Sequence, residues 1–455
     1  MTTAVASDRA PRYPGVPLLG ALLEARKNPL EMFERASKLG DVVELPFPHQ
    51  QVFLLNHPDH VDRVLHGNMK AYAKQTRGYA AMRRILGTGL LTSEGSFWLR
   101  QRRLAQPAFH RERIAAFGAS MVRATQELIA AWGPRLNSGE PFDLHDEMMK
   151  LTLKVVGQTL LSADVTGAAG EIGDALTRLL RVLSRTTTQL FELPDWVPTA
   201  DHRELHSTRA ALDAVVHRII ADRRARGAGD DLLGLFMSTQ DADTGESMSD
   251  EQLRDEVMTM LLAGHETTAN ALTWALWLLA RHPEAEQKLR VELAHALEGT
   301  APSTAVTPSL KYTLGVVNES LRLYPPAWIL ARRAVEDDHF GAVKVPRHAL
   351  VFMLPWLIHR RADYWPQPEA FLPERWLGSD GHAPVSNRCA WLPFSTGQRK
   401  CIGDTFALLE MQLVLATLLQ RVRISVEPDR EVSPEPVFTL RPRNGLWVTA
   451  RNLKG

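Results

Sequence analysis

Cys401 is one of two cysteines in a chain of 455 residues. It stands in the stretch PFSTGQRKCIGD, Pro393 to Asp404, among glycines and bases and where a long apolar helix begins. The N–H groups of a helix N-terminus and the adjacent cations Arg399 and Lys400 both favour a thiolate. Gly397 and Gly403 allow the backbone to wrap closely around something bulky. A thiolate held this way is either a nucleophile or a metal ligand. A nucleophile needs a base, and no nearby histidine is an evident candidate. Zinc needs more Cys or His, and Cys389 is the only other thiol. A single thiolate at a glycine-lined pocket suits haem iron, whose porphyrin supplies the other four ligands.

AGHETT, Ala263 to Thr268, is a second constellation, in the middle of a long apolar run. Glu266 and Thr267 set an acid beside a hydroxyl, a pair able to pass protons into an apolar space. Gly264 lets a ligand approach the backbone. His265-Glu266 begins the zinc-protease pattern HExxH, but Ala269 stands where the second His belongs, which dismisses zinc. A kinked core helix whose polar groups satisfy one another reads equally well from this segment alone. Glu319 and Arg322, in NESLRLYPP, share a helix face at a spacing of three. By themselves they read as a solvated pair worth under about 1 kcal/mol.

The elements that must position these residues are mostly helical. DVVELPFPHQQVFLLNHP alternates like a short strand pair. Helical periodicity dominates from about Pro58 to Pro325, short strands follow from about Trp328 to Pro355, and a helix runs from about Gly403 to Arg421. Asn444-Gly445, between two strand-like runs, signals a C-terminal hairpin. Ser249 and Gln252, in capping-box spacing, open a helix of about 33 residues that stops before Pro283. Its middle, Met258 to Ala280, is apolar on nearly every face. An unpaired Glu at the centre of a lone membrane span would cost several kcal/mol, so burial in a large core is the better reading.

Composition is ordinary for a globular protein rather than a disordered one: 45% hydrophobic, 23% charged and a net charge of +1. That balance argues against nucleic acid or a strongly anionic membrane as partner. Scarce cysteine suits a reducing cytosol, and the N-terminal stretch reads as neither signal peptide nor anchor. With no repeat and no linker-like composition shift, residues 1–455 read as a single domain, its β-rich part at about 40–60 packing with the strands at about 328–355.

PFSTGQRKCIG resembles the cysteine-ligand signature of the cytochrome P-450 family, FxxGxRxCxG, with Phe394, Gly397, Arg399, Cys401 and Gly403 in register. AGHETT is similar to the family's oxygen-activating helix, and Glu319-x-x-Arg322 to its ExxR pair. FLPERW, Phe371–Trp376, resembles the segment whose arginine, here Arg375, completes a buried triad. FWLRQRR matches the family's WxxxR through Trp98 and Arg102. Order and spacing hold from about Pro14 to Val448. Ser395 departs from the pattern, standing where many members have glycine, and His265 fills a variable position that faces away from the iron.

The resemblance implies a mainly α fold with minor β, holding haem b (iron protoporphyrin IX) between the long central helix and the cysteine-loop helix. It implies Cys401 as axial thiolate, Phe394 packed over the sulfur, Thr267 to hydrogen-bond dioxygen and Glu266 to relay protons. Ala263 and Gly264 line the cofactor's other face. Arg102, Arg399 and Arg332, with Trp98, neutralise the propionates; Arg332 is preferred to Arg333 for its spacing to Asp337. Leu91, Ala263, Ala327, Ile329, Phe438 and Thr439 line the substrate pocket. The implied reaction inserts one oxygen atom from O2 into a hydrophobic small molecule: a terpenoid, steroid, fatty acid or polyketide. A peroxide-using relative or a haem-thiolate sensor are the rivals, and the Glu266-Thr267 pair argues against both. Electrons come from a ferredoxin or flavodoxin with its reductase, steered by bases such as Arg388, Arg399 and Lys400. The expectation is a monomer in the cytoplasm, without membrane anchor or nucleic acid.

Overall fold

A computed structural model describes residues 9–162, 199–227, 231–240, 245–378, 384–427 and 430–453, with Gly229 and scattered positions between 163 and 198. Helices dominate and four small sheets accompany them. The strand pair read from the sequence forms as Val42–Phe47 and Gln50–Leu55, antiparallel with Val42 opposite Leu55. Gln50–Leu55 then pairs in parallel with Leu350–Met353, which pairs antiparallel with Leu330–Ala334. Alternation along Leu330–Ala334 buries Arg332 and turns Arg333 outward, where its Nε donates to the His348 carbonyl.

The central helix runs Asp250–Arg281. Ser249 Oγ accepts from the Gln252 N–H at 3.2 Å, and Gln252 Oε1 accepts from the Ser249 N–H at 2.9 Å, so two orphan donors are satisfied before the first turn. Thirty-two residues carry it about 48 Å through the core. From Leu253 to Leu276 it is buried except at one window: Ala263 is exposed and Gly264 and Thr267 are half-exposed, between buried turns on either side. An exposed alanine in mid-core marks a void against the helix. No helix among the described residues is long and apolar enough to cross a membrane.

Gly264 serves packing. A Cβ there would come within 3.0 Å of Val156 Cγ2, so glycine lets helix Leu144–Leu160 lie close against the central helix. Gly264 also borders the void, so the packing role comes in addition to the expected one.

The C-terminal hairpin does not form. Asn444 and Gly445 make the tight turn, both with positive φ. The flanking strands join different sheets: Leu440–Pro442 pairs with Pro434–Pro436, and Trp447–Asn452 pairs with Val422–Val426 and Phe142–Asp143. Asp143 is the reason. Its Oδ1 accepts from the Leu446 N–H at 2.8 Å and also caps helix Leu144–Leu160, drawing the chain away after the turn. A turn signal fixes the local bend, and pairing is decided by what the next residues meet.

Glu319 and Arg322 are fully buried, which overturns the solvated reading of the isolated pair. Glu319 Oε1 and Oε2 accept from Arg322 at 2.8 and 2.9 Å; Arg375 Nε donates at 3.1 Å, Trp376 Nε1 at 3.0 Å and the Leu372 N–H at 3.1 Å. The remaining Arg322 protons go to the carbonyls of His359, Pro368 and Ala370. His359 passes the constraint on: its Nδ1–H donates to the Arg322 carbonyl at 3.2 Å and its Nε2 accepts from the Leu392 N–H at 2.7 Å. Burial, and then the Arg322 charge, hold this imidazole down to about 3, so it stays neutral and its tautomer is fixed. Leu392 opens the cysteine loop. Within that loop Ser395 adopts φ 57, the left-handed region that disfavours a side chain, and its buried hydroxyl has no partner among the described residues.

Two outcomes follow for stability. Glu319→Leu leaves the fully buried Arg322 charge without its counter-ion and should lower the unfolding free energy by about 3–5 kcal/mol or prevent soluble expression; an unchanged urea midpoint would show the triad to be dispensable. Ser395→Gly relieves the backbone strain and should raise stability by up to about 1 kcal/mol. A lower melting temperature for Ser395→Gly would mean that the hydroxyl has a partner worth more than the strain.

Candidate active site

The void at the central helix is a cavity of about 660 Å³, within the roughly 300–1,000 Å³ of ligand and cofactor pockets. Its wall brings together residues from Leu22 to Thr439. The cysteine loop contributes Phe394, Arg399, Cys401 and Gly403, and the central helix contributes Ala263, Gly264, Glu266 and Thr267. Leu91, Ala327, Ile329, Phe438 and Thr439 complete the apolar side. Another depression, about 690 Å³, is lined by Glu112, Gln158, Arg223 and Asp231, and carries none of the expected residues.

Cys401 is held by its loop: its N–H donates to the Phe394 carbonyl at 2.9 Å, closing the chain back on itself. Gly397, at φ 72, makes the turn possible; a Cβ there would strike the Leu65 carbonyl at 2.2 Å. The glycine thus seats the loop against the protein. The exposed surface of Cys401 is cavity surface. Burial raises its thiol above the ordinary range, against the Gly403 N–H, Arg102 and Lys400, which favour the thiolate. Desolvation therefore outweighs the helix terminus and the cations that the sequence pointed to. Cys389 is elsewhere. It is fully buried, its thiol donates to Asp62 Oδ1 at 3.4 Å, and burial pushes it up to about 12. Asp62, His66 and Cys389 form a compact trio, with the Arg388 guanidinium already on Asp62 at 2.7 Å, and none of the three borders the cavity.

Lys74, Arg332 and Arg399 gather at one part of the wall. Lys74 was not foreseen. It lies in a two-residue strand's wake with no motif around it, and only the pairing of Tyr72–Ala73 with Arg333 and Ala334 carries it to the site. Its Nζ donates to the Leu91 carbonyl at 3.0 Å. Burial, and then the charges of Arg332 and Arg399, hold its ammonium well below the usual range; Arg399 is likewise held down to about 10. Glu94 is the carboxylate acting on both Lys74 and Arg399. Three crowded cations against one carboxylate leave an excess of positive charge, which suits an anionic ligand. Trp98 and Arg102 stand behind the residues that line the wall. Trp98 lies under Arg399, the guanidinium 3.8 Å from its ring centroid, and Arg102 donates to the Lys400 carbonyl at 2.9 Å.

Across the cavity, Thr267 Oγ1 donates to the Ala263 carbonyl at 2.7 Å, one turn back, so its lone pairs are what it offers the void. Glu266 is buried, and burial lifts its carboxyl to about 7 against the pull of Thr439 and Arg441. Thr439 Oγ1 donates to Glu266 Oε1 at 2.7 Å, so this cavity-lining residue is also engaged with the acid. His265 does not border the cavity; burial holds it down to about 4 and therefore neutral.

The loop that carries Leu91 is clamped by the same helix. The Thr88 and Leu90 N–H groups donate to Asp255 and Glu256 at 2.6 and 3.1 Å. Burial lifts the Glu256 carboxyl to about 8.

Residues 11–448 match the profile of the cytochrome P-450 family. The chain is 39% identical to the cyclooctatin synthase of Streptomyces melanosporofaciens, over 94% of this chain and 92% of that one. It is 36% identical to the cyclooctat-9-en-7-ol 5-monooxygenase of the same organism, over 91% and 89% respectively. With the pentalenene oxygenase of Streptomyces avermitilis it shares 34% identity over 96% of each. With a thiol and an acid–hydroxyl pair on one cavity and a match along nearly its whole length, the chain belongs to the cytochrome P-450 family of haem-thiolate monooxygenases.

Proposed function

We propose that this protein is a single haem domain that hydroxylates or epoxidises a hydrophobic terpenoid, with Cys401 as the axial thiolate. The observation that carries the reading is the pairing of one thiol, Cys401, with the Glu266-Thr267 pair on the wall of one largely apolar cavity. The relatives' names support the substrate class: cyclooctat-9-en-7-ol and pentalenene are an alkenol and an alkene. The residues present fit haem b. Cys401 offers the thiolate, and a cation iron would offset the burial that raises its thiol. Lys74, Arg332 and Arg399 offer the excess positive charge that two propionates need. Trp98 and Arg102 act one step back, by stacking on Arg399 and by fixing the Lys400 carbonyl beside the ligand.

Bound haem supplies the binding and reductive activation of dioxygen. The reaction is R–H + O2 + two electrons + two protons giving R–OH + H2O, one oxygen atom entering the substrate. The chain's own contribution is to place the substrate, ration water and deliver protons. Ala263, Ala327, Ile329 and Phe438 give the hydrocarbon a dry wall. Thr267, its proton spent on Ala263, accepts a hydrogen bond from a donor in the cavity and holds it at the helix window. Glu266, with a carboxyl lifted to about 7, can gain and lose a proton near neutral pH. The electrons come from a separate ferredoxin or flavodoxin with its reductase, to the face bearing Lys400 and Arg388. We assign the protein to the cytosol as a monomer, where its two free cysteines stay reduced.

Cys401→Ala should abolish the long-wavelength Soret band of the reduced, carbon monoxide-treated protein, while Cys389→Ser keeps it. The reverse pattern would overturn the ligand assignment. Thr267→Ala should leave the substrate-induced spin-state change in place and lower the product formed per electron pair several-fold, the difference appearing as peroxide or water. Unchanged coupling would reduce Thr267 to a packing role.

A further inference from the structure

Glu266 is gripped from one side only. Its Oε1 accepts from Thr439 Oγ1 at 2.7 Å, and its Oε2 is buried with no partner among the described residues. Thr439 is gripped in turn by Asn270, whose Nδ2 donates to Thr439 Oγ1 at 2.9 Å. Asn270 lies one helical turn beyond Glu266 on the same face and is fully buried. Its Oδ1 meets His145 Nε2 at 2.8 Å, and His145, half-exposed, sits in the first turn of helix Leu144–Leu160. A continuous chain of hydrogen bonds therefore runs along one face of the central helix, from the cavity acid to the start of helix Leu144–Leu160.

Its direction is constrained. A hydroxyl has one proton, so Thr439 donates to Glu266 only while it accepts from Asn270. Asn270 can present its NH2 to Thr439 only while its oxygen faces a donor, which makes His145 the Nε2–H tautomer. In that sense the chain favours the Glu266 carboxylate. If Glu266 instead holds the proton on Oε1 and donates to Thr439, the hydroxyl must turn its own proton elsewhere and accept from Glu266 and Asn270 together, one on each lone pair. An amide does not release its protons at ordinary pH, so Asn270 breaks any proton hopping along the chain. The chain sets orientation, and the proton itself is exchanged at the free Oε2.

We propose that His145, Asn270 and Thr439 are positioning residues for Glu266, holding one carboxyl oxygen so that the other, buried and without a partner among the described residues, is the one left to trade the proton. The proposal rests on the reading of Glu266 as the proton carrier. The charged and titratable groups around it are Arg441, which favours the carboxylate, and two imidazoles, His265 and His145, whose ionised forms burial disfavours. Burial works the other way on Glu266 and raises its carboxyl. Thr439 is the one direct hydrogen bond opposing that rise.

The test is an infrared pH titration of the oxidised holoprotein, with the protonated-carboxyl band of Glu266 assigned by its disappearance in Glu266→Gln. Thr439→Val should move the midpoint of that band up by about one to two pH units, the effect of losing a hydrogen bond to a charged acceptor. Thr439→Ser should restore it. Asn270→Leu and His145→Phe should shift it in the same direction by less, because they free the Thr439 hydroxyl without removing it. Product formed per electron pair should fall with Thr439→Val and recover with Thr439→Ser; Thr439→Ala serves if the valine variant does not fold. A midpoint indifferent to Thr439→Val, or equal in the Ser and Val variants, overturns the chain. If Glu266→Gln leaves coupling unchanged while the band still follows Thr439, the proton-carrier reading fails and the hydrogen-bond chain does not.

Discussion

A carboxylate with no water, Glu319, sits between two guanidinium groups, and the chemistry of the protein hangs from it. Removing two or three charges from water costs several kcal/mol per ion, and only complete hydrogen bonding makes that tolerable. Here it is complete: both Glu319 oxygens are shared among Arg322, Arg375, Trp376 and the Leu372 N–H, and Arg322 spends its remaining protons on three carbonyls. Those carbonyls belong to the long irregular stretch that follows the small sheet. A segment with little secondary structure of its own is thereby given fixed points. His359 carries one of them to Leu392, nine residues before the thiol. The position of Cys401 is inherited from an ion pair that never touches the cavity.

The cavity divides its labour by wall. One part is thiol and strained loop, one is acid and hydroxyl on the central helix, one is crowded cation, and the remainder is hydrocarbon. The central helix serves the second and also clamps the Leu91 loop through Asp255 and Glu256, so the acid pair and the substrate wall move as one body. The apolar surroundings raise Glu266, Glu256 and the Cys401 thiol alike. Each group is returned toward its ionised form by a different specific contact: Thr439, the Leu90 N–H, and the Gly403 N–H with its neighbouring cations.

Much of this was legible in the sequence, wherever function is tied to a local pattern. The capping box, the central helix, the strand pair and the thiol at a helix start depend on neighbours within a few residues, and their spacing is their signature. What was missed depends on contacts across the fold. Lys74, Asn270 and His145 stand in no motif, and each meets its partners only because another element arrives beside it. The Asn444-Gly445 turn was read correctly as a bend and wrongly as a hairpin, since Asp143, some 300 residues earlier, takes the next N–H. Gly264 borders the cavity as its sequence context suggests, but its packing against Val156 has no local signature. The cysteine's surroundings were identified, but the sign of their sum was not, because sequence shows charges and helix ends and does not show desolvation.

The parallel pairing of Gln50–Leu55 with Leu350–Met353 carries a consequence for biosynthesis. At about 5–20 residues per second, a ribosome leaves roughly 15–60 s between making the first strand and making its partner. During that interval the edge of Gln50–Leu55 is an unpaired template and the apolar central helix has no opposing cysteine loop. The nascent chain must therefore be shielded until almost all of it has emerged, and the cavity can take its prosthetic group only after synthesis is essentially finished.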